Sequence, residues 1–149
     1  MSLQANIMDV MKTAMKAKDT VALEALRAIK SEILLAQTSA ASDGSFTEAD
    51  EIKLLQKLVK QRKDSAAIYT EQNRSDLADP ELAQIAIIEQ FLPKQLSEQE
   101  VETIVKNIIT EGGFSGMAAM GQVMGLATKT LAGQADGKTV SLLVKKLLA

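Results

Sequence analysis

Apolar residues recur every three to four positions along most of this chain, and no stretch alternates steadily between apolar and polar residues. In residues 3–16, for example, Ile7, Val10 and Ala14 share one side of a helix. A second apolar stretch follows Asp19, whose carboxylate is suited to accept a hydrogen bond from a free N–H group at a helix start. This pattern predicts α-helices and disfavours β-strands.

Two capping boxes predict further helix starts. Thr47 and Asp50, and again Ser97 and Glu100, have the three-residue spacing at which a side chain and the backbone exchange hydrogen bonds. The helix after Thr47 carries a seam at steps of three and four, which is typical of a helical hairpin or bundle. The seam comprises Ile52, Leu55, Val59, Arg62, Ala66 and Tyr69.

The remaining boundaries depend on proline and on short polar residues. Pro80 after Asp79 predicts a helix start, because proline is tolerated at the first helical position, and the pattern leaves open whether residues 75–78 form a preceding turn of helix. Ser115 is expected to cap a short methionine-containing helix and Asp136 the last helix, while the composition of residues 38–45 predicts a loop. The helix after Pro80 is expected to bury Leu82, Ile85, Ile88 and Leu92.

The glycines are unevenly distributed along the chain. Seven of the eight lie at or after Gly112, so long helices are followed by short helices joined by tight turns. We therefore predict an all-α fold. An N-terminal helical hairpin or bundle subdomain covers residues 1–94, and a C-terminal subdomain of three short helices covers residues 95–149.

The composition excludes several kinds of chemistry. The 149 residues include no cysteine and no histidine, so the chain has no thiol nucleophile, no Ser–His or Cys–His pair, no disulfide and no zinc finger. We expect no catalytic residues, no cofactor and no metal site. Since no signal-peptide core or membrane-length apolar stretch is present, we expect a cytoplasmic protein without membrane contact.

The net charge of −2 conceals two opposite segments. Residues 71–102 hold eight acidic and two basic residues, a net of −6, whereas residues 103–149 hold five basic and two acidic residues, a net of +3. A basic segment can contact the phosphates of a nucleic acid. The acidic segment favours the alternative of a helical protein–protein adaptor without RNA binding.

Three motifs have a functional and a simpler structural interpretation. Residues 132–139 nearly spell a phosphate-binding P-loop, but Ala132 replaces the first glycine and no strand precedes it, which favours a turn capped by Asp136. The helix after Thr47 has a lysine-rich face that either contacts only solvent or binds along the phosphates of a nucleic acid. This face comprises Lys53, Lys57, Lys60 and Lys63. Met117, Met120 and Met124, with Gly121 and Gly125, suit a helix core that allows close backbone approach, or a soft binding surface.

Five segments, in their order and spacing, resemble the GatB/YqeY family over essentially the whole chain. They are residues 16–19 (KAKD) with Leu23, Leu26, Arg27 and Ser31, then 60–65 (KQRKDS), 91–97 (FLPKQLS), 120–125 (MGQVMG) and 133–141 (GQADGKTVS). The resemblance implies two all-helical subdomains, the second similar to the tail domain of the B subunit of tRNA-dependent amidotransferases. In those enzymes the tail meets tRNA and a separate domain performs the chemistry.

The resemblance therefore implies a tRNA-binding or accessory module. Carbon–nitrogen ligase activity with glutamine as the nitrogen donor belongs to the larger enzymes and is not expected from this chain alone. The expected partners are tRNA and an amidotransferase or aminoacyl-tRNA synthetase, and no DNA. Related tails often have a basic residue at the turn where this chain has Ala132 and Gln134, so the RNA contacts are assigned to other cations: Lys129, Lys138, Lys145, Lys146, Arg62 and Lys63.

Overall fold

The computed structural model describes residues 2–39 and 46–149, and these ranges contain helices and no strand. The all-α prediction is therefore confirmed. Most of the loop predicted at residues 38–45 lies outside the described residues. The helices are α1 (Leu3–Ala17), α2 (Thr20–Thr38), α3 (Glu48–Glu71), α4 (Ser75–Glu89), α5 (Glu98–Gly112), α6 (Met120–Thr130) and α7 (Gly137–Leu148), with a single 3₁₀ turn at Met117–Ala119.

The chain divides into two compact units, Met1–Leu92 and Pro93–Ala149, each with its own apolar core. In the N-terminal unit α2 packs against α1, α3 and α4, and α3 and α4 form a hairpin. Its most deeply buried large side chains are Ile7, Leu26, Ile29, Ile33, Leu55 and Ile88.

The predicted helix caps at Asp19, Thr47, Ser97 and Asp136 are confirmed. In the second capping box the Ser97 N–H donates to Glu100 Oε2 at 2.8 Å, and the Glu100 N–H donates to Ser97 Oγ at 3.2 Å. Asp50 completes the first box in place of the usual glutamate or glutamine, because its Oδ2 accepts from the Thr47 N–H at 3.0 Å.

The predicted start of α4 at Pro80 is wrong, because α4 begins at Ser75 and carries Pro80 inside it. Proline supplies no N–H for the carbonyl four residues earlier and so weakens the helix locally. Two contacts, one tertiary and one local, lie in the turns before Pro80. Ala78 is buried as α4 packs on its neighbours, and the Arg74 guanidinium holds Asp76 in the first turn with bonds of 3.0 and 2.9 Å.

The predicted apolar face of α4 is wrong at Leu82, which is 52% exposed. The inward stripe of α4 runs through Ala78, Ile85 and Ile88. Leu82 lies at the edge of this stripe and is largely open to solvent. Spacing along the sequence could not exclude Leu82 from the buried face, since it is three residues before Ile85 and residues three apart are neighbours on a helix surface.

The C-terminal unit is built from α5, α6 and α7 around a core that includes Val101, Val105, Val123 and Val144. The segment before α5 is held against the turn between α6 and α7. Gln95 Nε2 donates to the Gly133 carbonyl at 2.6 Å, and the Leu96 N–H donates to the Gln134 carbonyl at 2.9 Å. Gly133 is buried with a φ of +75°, a conformation that favours glycine.

Two expectations about the methionine-containing segment are wrong. Ser115 makes no capping hydrogen bond among the described residues, because Gly116, with a φ of +74°, precedes the 3₁₀ turn. Gly121 and Gly125 do not support a close helix contact, since a Cβ atom built on either would have no neighbour within 4 Å among the described residues. Met120 and Met124 pack against the core, as the simpler interpretation predicted, whereas Met117 is 46% exposed.

Candidate nucleic-acid interface

The outer face of α7 is basic along its length. Val140, Leu143, Val144 and Leu148 bury the opposite face in the core of the C-terminal unit. Lys138 and Lys145 are seven residues apart, so they share the exposed face at a separation of about 10 Å along the helix axis. Lys146 is the exposed neighbour of Lys145 in the last turn.

An exposed leucine lies within this basic face. Leu142 is 60% exposed, one turn after Lys138 and one turn before Lys145 and Lys146. Leu142 is not among the candidates predicted from the sequence, although an apolar residue four positions after Lys138 on the polar side of an amphipathic helix could have indicated it. We call Lys138, Leu142, Lys145 and Lys146 the α7 basic face.

The candidate lysines of the C-terminal unit are unpaired. In the part of the chain that the structure describes, Lys129, Lys138, Lys145 and Lys146 have no acidic group within 4 Å, whereas Lys106 contacts Glu102 at 3.7 Å. Lys129 lies in the last turn of α6, and Lys145 and Lys146 in the last turn of α7. Cations are favourable there because they face the negative end of the helix dipole.

The start of α7 is occupied by a carboxylate. The Thr139 N–H donates to Asp136 Oδ1 at 2.6 Å, so the helix start that resembles a P-loop is capped internally. The segment before this turn is α6 and not a strand. A phosphate near α7 would therefore be bound by lysine side chains and not by the backbone of the turn.

The two other candidate cations, Arg62 and Lys63, are engaged inside the N-terminal unit. Arg62 Nε donates to Gln84 Oε1 at 2.9 Å, and Gln84 Nε2 donates to Glu24 Oε2 at 3.1 Å, which links α3, α4 and α2. Lys63 Nζ lies 3.8 Å from Glu89 Oε1. Arg62 Nη1 also donates to the Leu58 carbonyl one turn earlier in α3, so the guanidinium has partners on its own helix and on α4.

The shifted carboxyl pKa values belong to helix starts. A backbone hydrogen bond from Ser97 lowers the pKa of Glu100, and the Arg74 side chain lowers that of Asp76. Desolvation, and then the charge of Glu48, raises the pKa of Glu51 in the first turn of α3. These shifts follow from capping, from partial burial and from local charge, and they do not indicate an acid–base site.

Two further searches concern the described residues only. No helix among them is long and apolar enough to cross a bilayer. None of their aspartates and glutamates gather in a group of three or more that could hold a metal ion.

Residues 4–148 match the family described as "Yqey-like protein". The chain belongs to this family. The family resemblance inferred from the sequence motifs is thus confirmed, and the match covers both helical units.

Relatives in the YqeY family differ in length and in name. "Altered inheritance of mitochondria protein 41, mitochondrial" of Pyrenophora tritici-repentis is 30% identical over 98% of this chain and 78% of its own length. The same-named protein of Lachancea thermotolerans is 35% identical over 72% of this chain and 58% of its own length. The E subunit of the glutamyl-tRNA(Gln) amidotransferase of Thermococcus sibiricus is 42% identical over 45% of this chain, but the match spans 11% of that protein.

Proposed function

We propose that this YqeY-family chain is a noncatalytic tRNA-binding accessory of tRNA-dependent amidotransferases, and that the α7 basic face and Lys129 contact RNA phosphates. The observation that carries the proposal is the group of exposed lysines without acidic partners in the C-terminal unit. The likeness to the E subunit of a Thermococcus glutamyl-tRNA(Gln) amidotransferase supports the choice of tRNA. An amidotransferase or aminoacyl-tRNA synthetase would be the protein partner.

The proposed contacts are electrostatic and independent of base sequence. A lysine ammonium group binds a phosphate as a point charge and releases condensed counterions from the RNA. With aromatic residues at 3% of the chain, few side chains are available to stack on bases. Binding should therefore follow the charge and shape of tRNA and depend steeply on salt.

The first prediction concerns the triple variant Lys138→Ala/Lys145→Ala/Lys146→Ala. Fluorescence anisotropy with labelled tRNA should show wild-type affinity falling roughly 50- to 150-fold between about 50 and 200 mM salt, as expected for four phosphate contacts. The variant should weaken binding of all tRNAs alike and lower the slope of log affinity against log salt by about three. Lys53→Ala/Lys57→Ala/Lys60→Ala, with the same loss of charge on exposed positions of α3, should have a much smaller effect.

Four outcomes would contradict this assignment. Undetectable binding at low salt, or an affinity indifferent to salt, would reject RNA binding. A larger loss in the α3 variant than in the α7 variant would move the interface to the lysine-rich face of α3. Glutamine-dependent amidation of an aminoacyl-tRNA by the pure chain would reject the noncatalytic assignment.

The adaptor function remains the second candidate, because residues 71–102 carry a net charge of −6. A protein partner that stays bound after nuclease treatment would favour it, and loss of every partner after nuclease would favour tRNA binding. A cytoplasmic location also remains a prediction. The fungal relatives are mitochondrial by name, so imaging of the tagged chain in its own cells is the direct test.

A further inference from the structure

The N-terminal unit has an apolar groove between α1 and α2. Its volume is about 250 Å³. Ile7 and Ile33, each 1% exposed, form its floor, while Met8 and Leu34 are 43% and 48% exposed at its sides. Gln4 and Lys30 complete the lining, so the groove offers mainly apolar surface to a ligand.

The flank of this groove on α2 is basic. Arg27 and Lys30 precede Leu34 by seven and four residues, which places all three in one exposed stripe. On α1, Lys12 follows Met8 by one turn; it contacts Asp9 at 3.9 Å, and both side chains are well exposed. Arg27 and Lys30 therefore supply the charge that a ligand in the groove would meet.

We propose that this groove binds an amphipathic helix of a partner protein whose apolar residues fill the floor and whose flanks are acidic. Apolar anchors at steps of three and four fit a groove between two helices, and carboxylates on the flanks complement Arg27 and Lys30. Met8 and Met15 are two turns apart on α1, so a partner helix of about three turns would cover both. The groove belongs to the N-terminal unit and the proposed tRNA interface to the C-terminal unit, so failure of the groove proposal would leave the tRNA proposal intact.

The complementarity selects an acidic protein helix as the occupant. A nucleic-acid backbone would gain little from a groove lined by isoleucine, methionine and leucine. The basic flank repels a helix with basic flanks, so it determines which amphipathic helices bind.

The test selects binders to the full chain from a phage-displayed library of helices, with leucines at steps of three and four and randomised flanking charges. We expect selected clones to be rich in Asp and Glu. Leu34→Ser and Met8→Ser should each weaken their binding about tenfold, as for a buried anchor. Lys30→Glu should weaken acidic clones about fivefold and strengthen their lysine-substituted versions.

Matched controls lie in the same unit. Leu82 is a similarly exposed leucine and Lys57 an exposed lysine, both outside the groove, so Leu82→Ser and Lys57→Glu should leave binding unchanged. The groove substitutions replace partly exposed side chains, and melting curves by circular dichroism verify that the variants fold. Lys30→Glu keeps every apolar contact of the core and tests the charge requirement separately.

Four results would overturn the proposal. The first two are that the library yields no binder that depends on the groove, and that the selected clones show no acidic bias. The third is that the wild type sediments as a dimer that Leu34→Ser dissociates. The fourth is that the wild type floats with phosphatidylserine vesicles and that Leu34→Ser abolishes this binding. The third would assign the groove to a second copy of the chain, and the fourth to a lipid surface.

Discussion

Short polar side chains determine where several helices begin. Ser2, Asp19, Thr47, Ser97 and Asp136 each accept a hydrogen bond from a backbone N–H group in the first turn of the following helix. This arrangement satisfies a donor that the helix itself cannot pair. At Ser97 the bond is reciprocal, so the charge of Glu100 also contributes to the stability of α5.

This reciprocal bond predicts a pH-dependent stability. The backbone hydrogen bond from Ser97 lowers the pKa of Glu100 below its ordinary value of 4.5. A carboxylate with a lowered folded-state pKa stabilises the fold above its unfolded-state pKa, and this contribution is lost as pH falls through the folded-state value. Glu100→Gln should therefore unfold at lower urea concentration than wild type at pH 7, with the difference shrinking below pH 4.5.

A matched glutamate separates this bond from the general effect of negative charge at a helix start. Glu98 also lies in the first turn of α5, outside the capping box. Glu98→Gln should change the unfolding midpoint less than Glu100→Gln at neutral pH. An equal difference between wild type and Glu100→Gln at pH 7 and at acidic pH would contradict the prediction.

The helices of the C-terminal unit differ in how their glycines are used. Gly113 ends α5 with a φ of +64°, a conformation in which a Cβ atom is strained. Gly125 lies inside α6 with exposed space around it, and Gly121 lies in the first turn of the same helix. Glycine is therefore required by conformation at position 113 and by neither conformation nor packing at position 125.

This difference predicts opposite effects of the same substitution. Gly125→Ala should raise the free energy of unfolding by about 0.5–1 kcal/mol, because alanine has the higher helix propensity and its Cβ meets no neighbour. Gly121→Ala should stabilise less, since it lies near the helix start. Gly113→Ala should lower the free energy of unfolding by about 1 kcal/mol, because it places a Cβ in the left-handed region.

Urea denaturation of the three variants measures these changes. Destabilisation by Gly125→Ala would contradict the prediction, since it would reveal a contact that the added Cβ atom disturbs on this face of α6. The Gly113 variant is the control for sensitivity, as its expected change has the opposite sign.

In the described residues, two apolar cores stabilise the two compact units. The core of Met1–Leu92 includes Ile29 and Ile88, and that of Pro93–Ala149 includes Val105 and Val144. The contacts of Gln95 and Leu96 with the turn at Gly133 lie within the second unit. Each unit therefore contains the interactions that a small helical fold needs, although a domain of about 60 residues buries proportionally less surface and is less stable.

Each unit should fold as a separate fragment, and each fragment should retain one of the two proposed functions. Residues 93–149 should unfold cooperatively and bind tRNA with a salt dependence like that of the full chain. Residues 1–92 should fold and bind the selected acidic helices, but not tRNA. Circular dichroism melting and anisotropy on both fragments test this, with an equimolar mixture as the control. Binding of tRNA by residues 1–92 alone would contradict the assignment of the interface to α7.

Local interactions made much of the fold predictable. The all-α class and both capping boxes follow from apolar spacing and from side chains that bond to the backbone three residues away. The lysines of α7 were also readable, because the polar side of an amphipathic helix is exposed once its apolar side is buried.

Where the local sequence allowed more than one structure, only the tertiary structure decided between them. Pro80 predicted a helix start, yet packing of α4 against α2 and α3 extends the helix back to Ser75. The glycines of α6 predicted a helix contact, but their surroundings depend on the orientation of that helix in its unit. Arg62 was grouped with candidate RNA contacts, whereas the approach of α4 gives its guanidinium a partner in Gln84.

The sequence by itself determined the helices and their polar faces, which depend on neighbours along the chain. Contacts with residues distant in the sequence determined where α4 begins, which lysines stay unpaired and where an apolar groove remains open.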